Sequence, residues 1–138
     1  MIRIPILRNP APGSPAEELL HHMLAVNTRV ESDLLSKPAM DFSETESEFH
    51  AYIALPGVDA RSIRVAAVPD AIIIQAECCR PSIGKLRIGE LPCQTFYRKI
   101  ALDEPIRLEG VTAVLDHGLL HMTACKGSAR RPTMAATA

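Results

Sequence analysis

Leu55-Pro56-Gly57-Val58 closes the run Phe49-His50-Ala51-Tyr52-Ile53-Ala54-Leu55. Within it Phe49, Ala51, Ile53 and Leu55 fall on one side and the other residues on the opposite side. That period of two marks a strand with one buried face. Pro56-Gly57 stops it with a tight-turn pair. Working outward, Met40 to Glu44 reads as a short strand before it. Ser62 to Val68 follows as another, with Ile63 and Val65 as core candidates. Pro69-Asp70 turns the chain into Ala71-Ile72-Ile73-Ile74-Gln75-Ala76-Glu77, its strongest β run. Residues 80–93 hold two glycines and two prolines and read as a long polar connection, whose middle, Lys85-Leu86-Arg87-Ile88, suits a short strand. Gln94 to Leu102 alternates again, with Phe96, Arg98, Ile100 and Leu102 on one face. Val111 to Leu115, the turn Asp116-His117-Gly118, and Leu119 to Ala124 form a closing hairpin. Pro56, Gly57 and Gly118 are the structural turn residues, and the two glycines suit a positive φ or a close approach. The expected class is all-β, an antiparallel sandwich of seven or eight short strands.

Upstream the pattern changes. Three prolines within the first twelve residues, with Ile4-Pro5-Ile6 among them, describe an extended arm. Ser14, Pro15 and Glu17 then suit a helix start: a cap, a first-turn proline and the partner acid of a capping box. Leu19, Leu20, Met23, Val26, Val30, Leu34 and Leu35 recur at helical steps, which predicts an amphipathic helix over about residues 15–35. Its stripe could lie on the domain, on another subunit or on another protein. Pro38 ends it. The organisation is thus an arm and helix over 1–37, a sandwich over 38–126 and a short flexible tail over 127–138.

The chain has 138 residues and a net charge of -1, from 15 basic and 16 acidic side chains. That balance gives no reason to expect a nucleic-acid or acidic-membrane partner, and near-zero charge favours self-association. No apolar stretch is long enough to span a bilayer, and Arg8, Asn9 and Pro10 interrupt the signal-peptide-like start. A cytoplasmic protein is expected, with Cys78, Cys79, Cys93 and Cys125 as reduced thiols. Adjacent Cys78 and Cys79 make neither a good bridge nor a metal pair. His21-His22 point about a hundred degrees apart on a helix and share no metal site. His117 sits in a turn and His121 in a strand. Ser82, Thr95 and Ser128 lack a paired histidine and acid at a recognisable spacing. Glu44, Glu46 and Glu48 read as a solvated face. No phosphate loop is present. The sequence therefore predicts no enzyme, no metal and no cofactor.

The order of these pieces resembles the α-crystallin domain of small heat shock proteins, the Hsp20 family. Asp41-Phe42-Ser43-Glu44-Thr45 is similar to its first strand, and Leu55-Pro56-Gly57-Val58 to its turn. Phe96-Tyr97-Arg98-Lys99-Ile100-Ala101-Leu102 is similar to its Phe-x-Arg-x-Phe-x-Leu-Pro strand, with Ile100 for the aromatic and Asp103 for proline. Ala113 to Leu120 is similar to its Ala-x-x-x-x-Gly-Val-Leu signature, with Leu119 for valine. The likeness covers about residues 38–126. It implies an immunoglobulin-like sandwich and an ATP-independent chaperone, a holdase binding partly unfolded proteins. It also implies a homodimer or higher oligomer built by exchange of a short strand, here about Gly84 to Ile88. The family arginine falls on Arg98, so the implied dimer interface comprises Arg98, Glu90, Lys85, Leu86, Arg87 and Ile88. An inward Arg98 needs a carboxylate, such as Glu90 or a partner's acid, or backbone carbonyls.

Family chains commonly end in an Ile-x-Ile segment that docks on another dimer, and residues 127–138 contain none. Ile2, Ile4 and Ile6 present such a motif at the opposite end. They could dock in another dimer's groove between the strands of Ile63, Val65 and Val114, or pack on their own domain. Leu19, Leu20, Met23, Val26 and Val30 are the implied client-binding stripe. The alternative is a non-enzymatic, co-chaperone-like interaction module, which would usually be monomeric. A carbohydrate-binding sandwich would need an aromatic platform that two tyrosines and no tryptophan do not supply.

Overall fold

Glu48 to Ala54 alternates as its composition requires: Phe49, Ala51 and Ile53 are buried, and Tyr52 faces solvent. In the computed structural model, which describes residues 1–25, 35–78, 83–90 and 95–127, this strand lies beside the middle of one of two five-stranded sheets. In chain order the strands are β1 (Ile2–Arg3), β2 (Ile6–Leu7), β3 (Leu35–Ser36), β4 (Met40–Glu44), β5 (Glu48–Ala54), β6 (Arg64–Val68), β7 (Ala71–Glu77), β8 (Thr95–Ala101), β9 (Thr112–Asp116) and β10 (Leu119–Cys125). The single α-helix among the described residues is α1 (Pro15–Leu24). One sheet runs β1-β9-β10-β5-β4 and the other β2-β6-β7-β8-β3. Phe49, Ile53, Leu55, Val65, Ile72, Ile74, Phe96, Val111, Leu120 and Met122 fill the space between them. The chain is a β-sandwich with a short N-terminal helix.

Two turns carry this register. Pro56-Gly57 bends with φ +72° at Gly57, the conformation a glycine supplies at the second central turn position. His117 (φ +52°) and Gly118 (φ +76°) join Asp116 to Leu119 as a two-residue hairpin with both central residues left-handed. That geometry matches the right-handed twist of β9 and β10.

Ser14 caps α1 by accepting from the Glu17 backbone N–H at 3.2 Å. The Glu17 carboxylate accepts from Gly13 N–H, one residue before the cap, at 3.0 Å. The helix stops at Leu24, and Leu35 is already in β3, paired parallel with Thr95 of β8. The stretch expected to be helical to residue 35 is therefore shorter at its end. The exposed edge of β8 offers Leu35 and Ser36 ladder hydrogen bonds that a helix beside Pro38 could not match. Residues 26–34, with Val26 and Val30, lie outside the described residues.

β7 explains why its sequence is apolar without alternation. Ile72 and Ile74 face the sandwich core, while Ile73 faces outward beneath α1. Leu20 and Met23 of the helix cover Ala66, Ile73 and Tyr97 in a second apolar cluster. Around Ile73 the sheet is buried on both faces, which removes the period of two in β7.

Candidate functional site

Three surfaces of the sandwich carry the residues singled out from the sequence. The first is the channel between β6 and β9, where the two sheets come apart at one side. Its lining is Ile63, Val65, Val111, Ala113 and Leu115, all buried. The N-terminal arm lies in it. β1 pairs antiparallel with β9 through Ile2↔Leu115 and Arg3↔Val114, and Ile4 N–H donates to Ala113 O at 2.9 Å. Pro5 has no N–H to offer and marks the crossing. Beyond it β2 pairs parallel with β6 through Ile6↔Val65 and Leu7↔Ala66. Ile4 is 4% exposed and part of the core, Ile6 is half-buried against it, and Ile2 is 50% exposed. Arg8 anchors the end of the arm by donating from Nη1 to the carbonyls of Leu108 (2.6 Å) and Val111 (3.3 Å). Of the two destinations open to the arm, its own domain is the one occupied within the chain. Clefts of about 320 and 350 Å3 flank it on either side.

Val114, expected in this groove, does not line it. Alternation sends Ala113 and Leu115 inward, so Val114 is half-exposed on the opposite face. There it lines a shallow depression with Tyr52 and His121.

The second surface is the helix face. Leu20 and Met23 are buried and Leu19 is half-buried. Tyr97 Oη donates to the Met23 carbonyl at 2.9 Å, near the last turn of α1. Burial of the ring pushes the Tyr97 hydroxyl above its ordinary value. Of the three destinations left open for the stripe, its described part covers the domain's own sheet. Sequence reasoning passed over Tyr97. Its signal was a large aromatic at the outward position of β8, which makes sense only if that face is covered.

The third surface surrounds Arg98. Its Nη1 donates to the Pro38 carbonyl at 2.9 Å, so a backbone carbonyl supplies the acceptor that a half-buried guanidinium needs. Glu90 is exposed, as are all of residues 83–90. No strand forms over Gly84 to Ile88 within the chain. Instead Ile83 (93%), Leu86 (62%) and Ile88 (75%) hold their side chains in solvent, and Gly84 takes φ +63°. An isolated strand with no edge to pair is not stable in water, which accounts for the difference.

Among the described residues no group of three or more His, Cys, Asp or Glu side chains is placed to hold a metal. None of the described helices is long and apolar enough to cross a membrane. Cys78 and Cys125 are thiols, and the other two cysteines lie outside the described residues.

A family model described as "Hsp20/alpha crystallin family" matches residues 41–135. The chain belongs to the Hsp20/alpha crystallin family. Its N-terminal elements β1, β2, α1 and β3 thus precede the matched region, and β5 to β10 lie within it. A curated relative, "Probable 15 kDa heat shock protein" of Leptospira interrogans, is 26% identical over 104 residues, covering 75% of this chain and 80% of that protein. Among solved structures, a small heat-shock protein from Xylella fastidiosa is 28% identical with a TM-score of 0.59, covering 69% of this chain and 90% of its own. HspA from Xanthomonas axonopodis is 26% identical with a TM-score of 0.59, covering 69% of this chain and 98% of its own. Membership carries the family's general role, a non-catalytic chaperone of the stress response.

Proposed function

We propose that this Hsp20 chain is an ATP-independent holdase of the cytoplasm that captures partly unfolded proteins on apolar surface kept covered at rest. The observation that carries the reading is the position of residues 1–25. They lie over two apolar surfaces at once: the β6–β9 channel and the outer face of β6-β7-β8. β1 and β2 are each only two residues long. A ten-residue helix has little stability of its own in water, so α1 is held by its contacts with the sheet. Release would expose Leu19, Leu20 and Met23 together with Ala66, Ile73 and Tyr97, and an unfolded client would replace the cover by apolar burial.

Two variants test this. Tyr97→Phe loosens the helix and should increase suppression of client aggregation at equal concentration. Replacing both Leu20 and Met23 with serine also frees the helix but strips its apolar capture surface, so it should raise suppression less than Tyr97→Phe does. Light scattering of a heat-aggregating client reads both. The reading fails if neither variant, nor deletion of residues 1–36, changes the aggregation curve.

Assembly through strand exchange is the companion proposal. Leu86 and Ile88 stand two apart and exposed, the spacing of a strand that could add to a partner's sheet edge. Lys85, Arg87 and Glu90 would border the contact, with Arg98 near its base. The Ile4–Ile6 arm would in turn be available to dock on a neighbouring dimer once it left its own channel. A chain that remains monomeric at micromolar concentration would sink the exchange and favour a monomeric, co-chaperone-like module.

A further inference from the structure

The outer face of the β1-β9-β10-β5-β4 sheet has no cover among the described residues, unlike the face under α1. Its central cross-strand row is fixed by register. Arg3 pairs with Val114, Val114 with His121, His121 with Tyr52, and Tyr52 with Asp41. Residues directly opposite in a ladder point to the same side, so these five stand in line across all five strands. Both ends of the row are charged and of opposite sign. Arg3 and Asp41 are exposed, and neither has an ion-pair partner among the described residues. The middle is ring and apolar surface. Tyr52 stacks on His121 with centroids 4.3 Å apart and planes 7° apart. Tyr52 is 43% and Leu119 42% exposed, and with Met1, Val114, Asp116 and His121 they line a depression of about 270 Å3.

We propose that this face binds the same face of a second copy of this chain, about a two-fold axis that runs along β10 between the sheets. β10 is the central strand, with two neighbours on each side. Rotation about it reverses the row end to end. Arg3 of each copy then meets the other copy's Asp41, Val114 meets Tyr52, and His121 and Leu119 lie on the axis. The alternative in-plane axis, across the strands, sets Arg3 on Arg3 and Asp41 on Asp41. The charge pattern therefore selects the first axis. A two-fold contact must be self-complementary, and this row is. Aligned packing of two twisted sheet faces is a standard solution for burying them. Leu119, Tyr52, Val114 and Met1 supply the apolar burial, while the charges set orientation. The contact lies on the sheet opposite the one that α1 covers and does not depend on strand exchange. Where exchange pairs two chains, this face would join pairs into fours.

The test is the solution mass of the full chain by multi-angle light scattering across the micromolar range. Arg3→Asp and Asp41→Arg each place like charges together twice per contact and should weaken the association by about tenfold or more, halving the mass at intermediate concentration. The double reversal R3D/D41R restores opposite charges and should restore the mass. Circular dichroism checks that each variant is folded. The proposal is overturned by a wild-type chain that stays monomeric, by single variants that keep the wild-type mass, or by a double variant as small as the singles.

Discussion

His117 is one of two non-glycine residues with a positive φ among the described residues, the other being Asn9. At +52° it sits in the first left-handed position of the β9–β10 hairpin, where asparagine is tolerated better than histidine. Its contact with Asp116, 2.9 Å from Nδ1 to Oδ1, leaves the imidazole almost fully exposed and adds little. His117→Asn should therefore raise stability by roughly 0.5 kcal/mol, seen as a higher urea midpoint with an unchanged slope. Tyr97 gives a prediction of opposite character. The folded protein holds its hydroxyl proton more tightly than the unfolded chain, where tyrosine titrates near ~10. The contribution is complete below that pH and is lost as pH rises through the folded value. Tyr97→Phe should flatten this alkaline decline. At neutral pH the same variant leaves the Met23 carbonyl short of a donor and should cost about 1 kcal/mol.

Among elements, the arm is the instructive one. Ile4 is buried with Val65 and Val111 in the same core, so Ile4→Ser removes apolar contacts and places a hydroxyl in an apolar channel. β1 and β2 are two-residue strands at the sheet edges, whereas β5 and β10 lie inside their sheet. Hydrogen exchange should quicken at Ile4 and Leu7 while the β5–β10 amides keep their protection. The strands over 40–124 were legible because their wet faces alternate: Tyr52 and His50 against Phe49, Ala51 and Ile53. The cover was less legible. Ile72-Ile73-Ile74 is apolar on both faces because α1 lies over Ile73, and a run of three isoleucines does not say what covers it. Val114 stands on the outward side of β9, where the small Ala113 holds the inward position. The arm's destination was illegible for another reason. Ile4-Pro5-Ile6 fits an apolar channel equally well on its own chain or on another.

Across the whole molecule, Lys126 ties the two ends of the sandwich sequence together. Its ammonium lies 2.6 Å from Glu44 at the end of β4, 3.6 Å from Glu104 and 5.0 Å from the centre of the Phe49 ring, and the side chain is 6% exposed. The Glu44 carboxylate accepting from Nζ holds the ammonium above the ordinary lysine range. This stabilisation is present below the unfolded lysine value near ~10.5 and disappears as pH rises through the folded one. Lys126→Met keeps the stem and loses the charge, so it should unfold at lower urea than wild type at pH 7. The gap should close in strongly alkaline buffer. Nothing in the motif match marked this lysine, because its partners come from residues 44, 49 and 104, brought together only by folding.

The arm has one more consequence, which concerns time. Ile4 and Ile6 are synthesised before the strands they join, β6 and β9, and Arg8 closes on Leu108 and Val111 across a hundred residues of chain. The hairpins β6–β7 and β9–β10 close over far shorter separations and can form earlier. The arm's contacts thus span most of the chain, and Ile4 and Ile6 have no partner strand on their own chain until β6 and β9 exist.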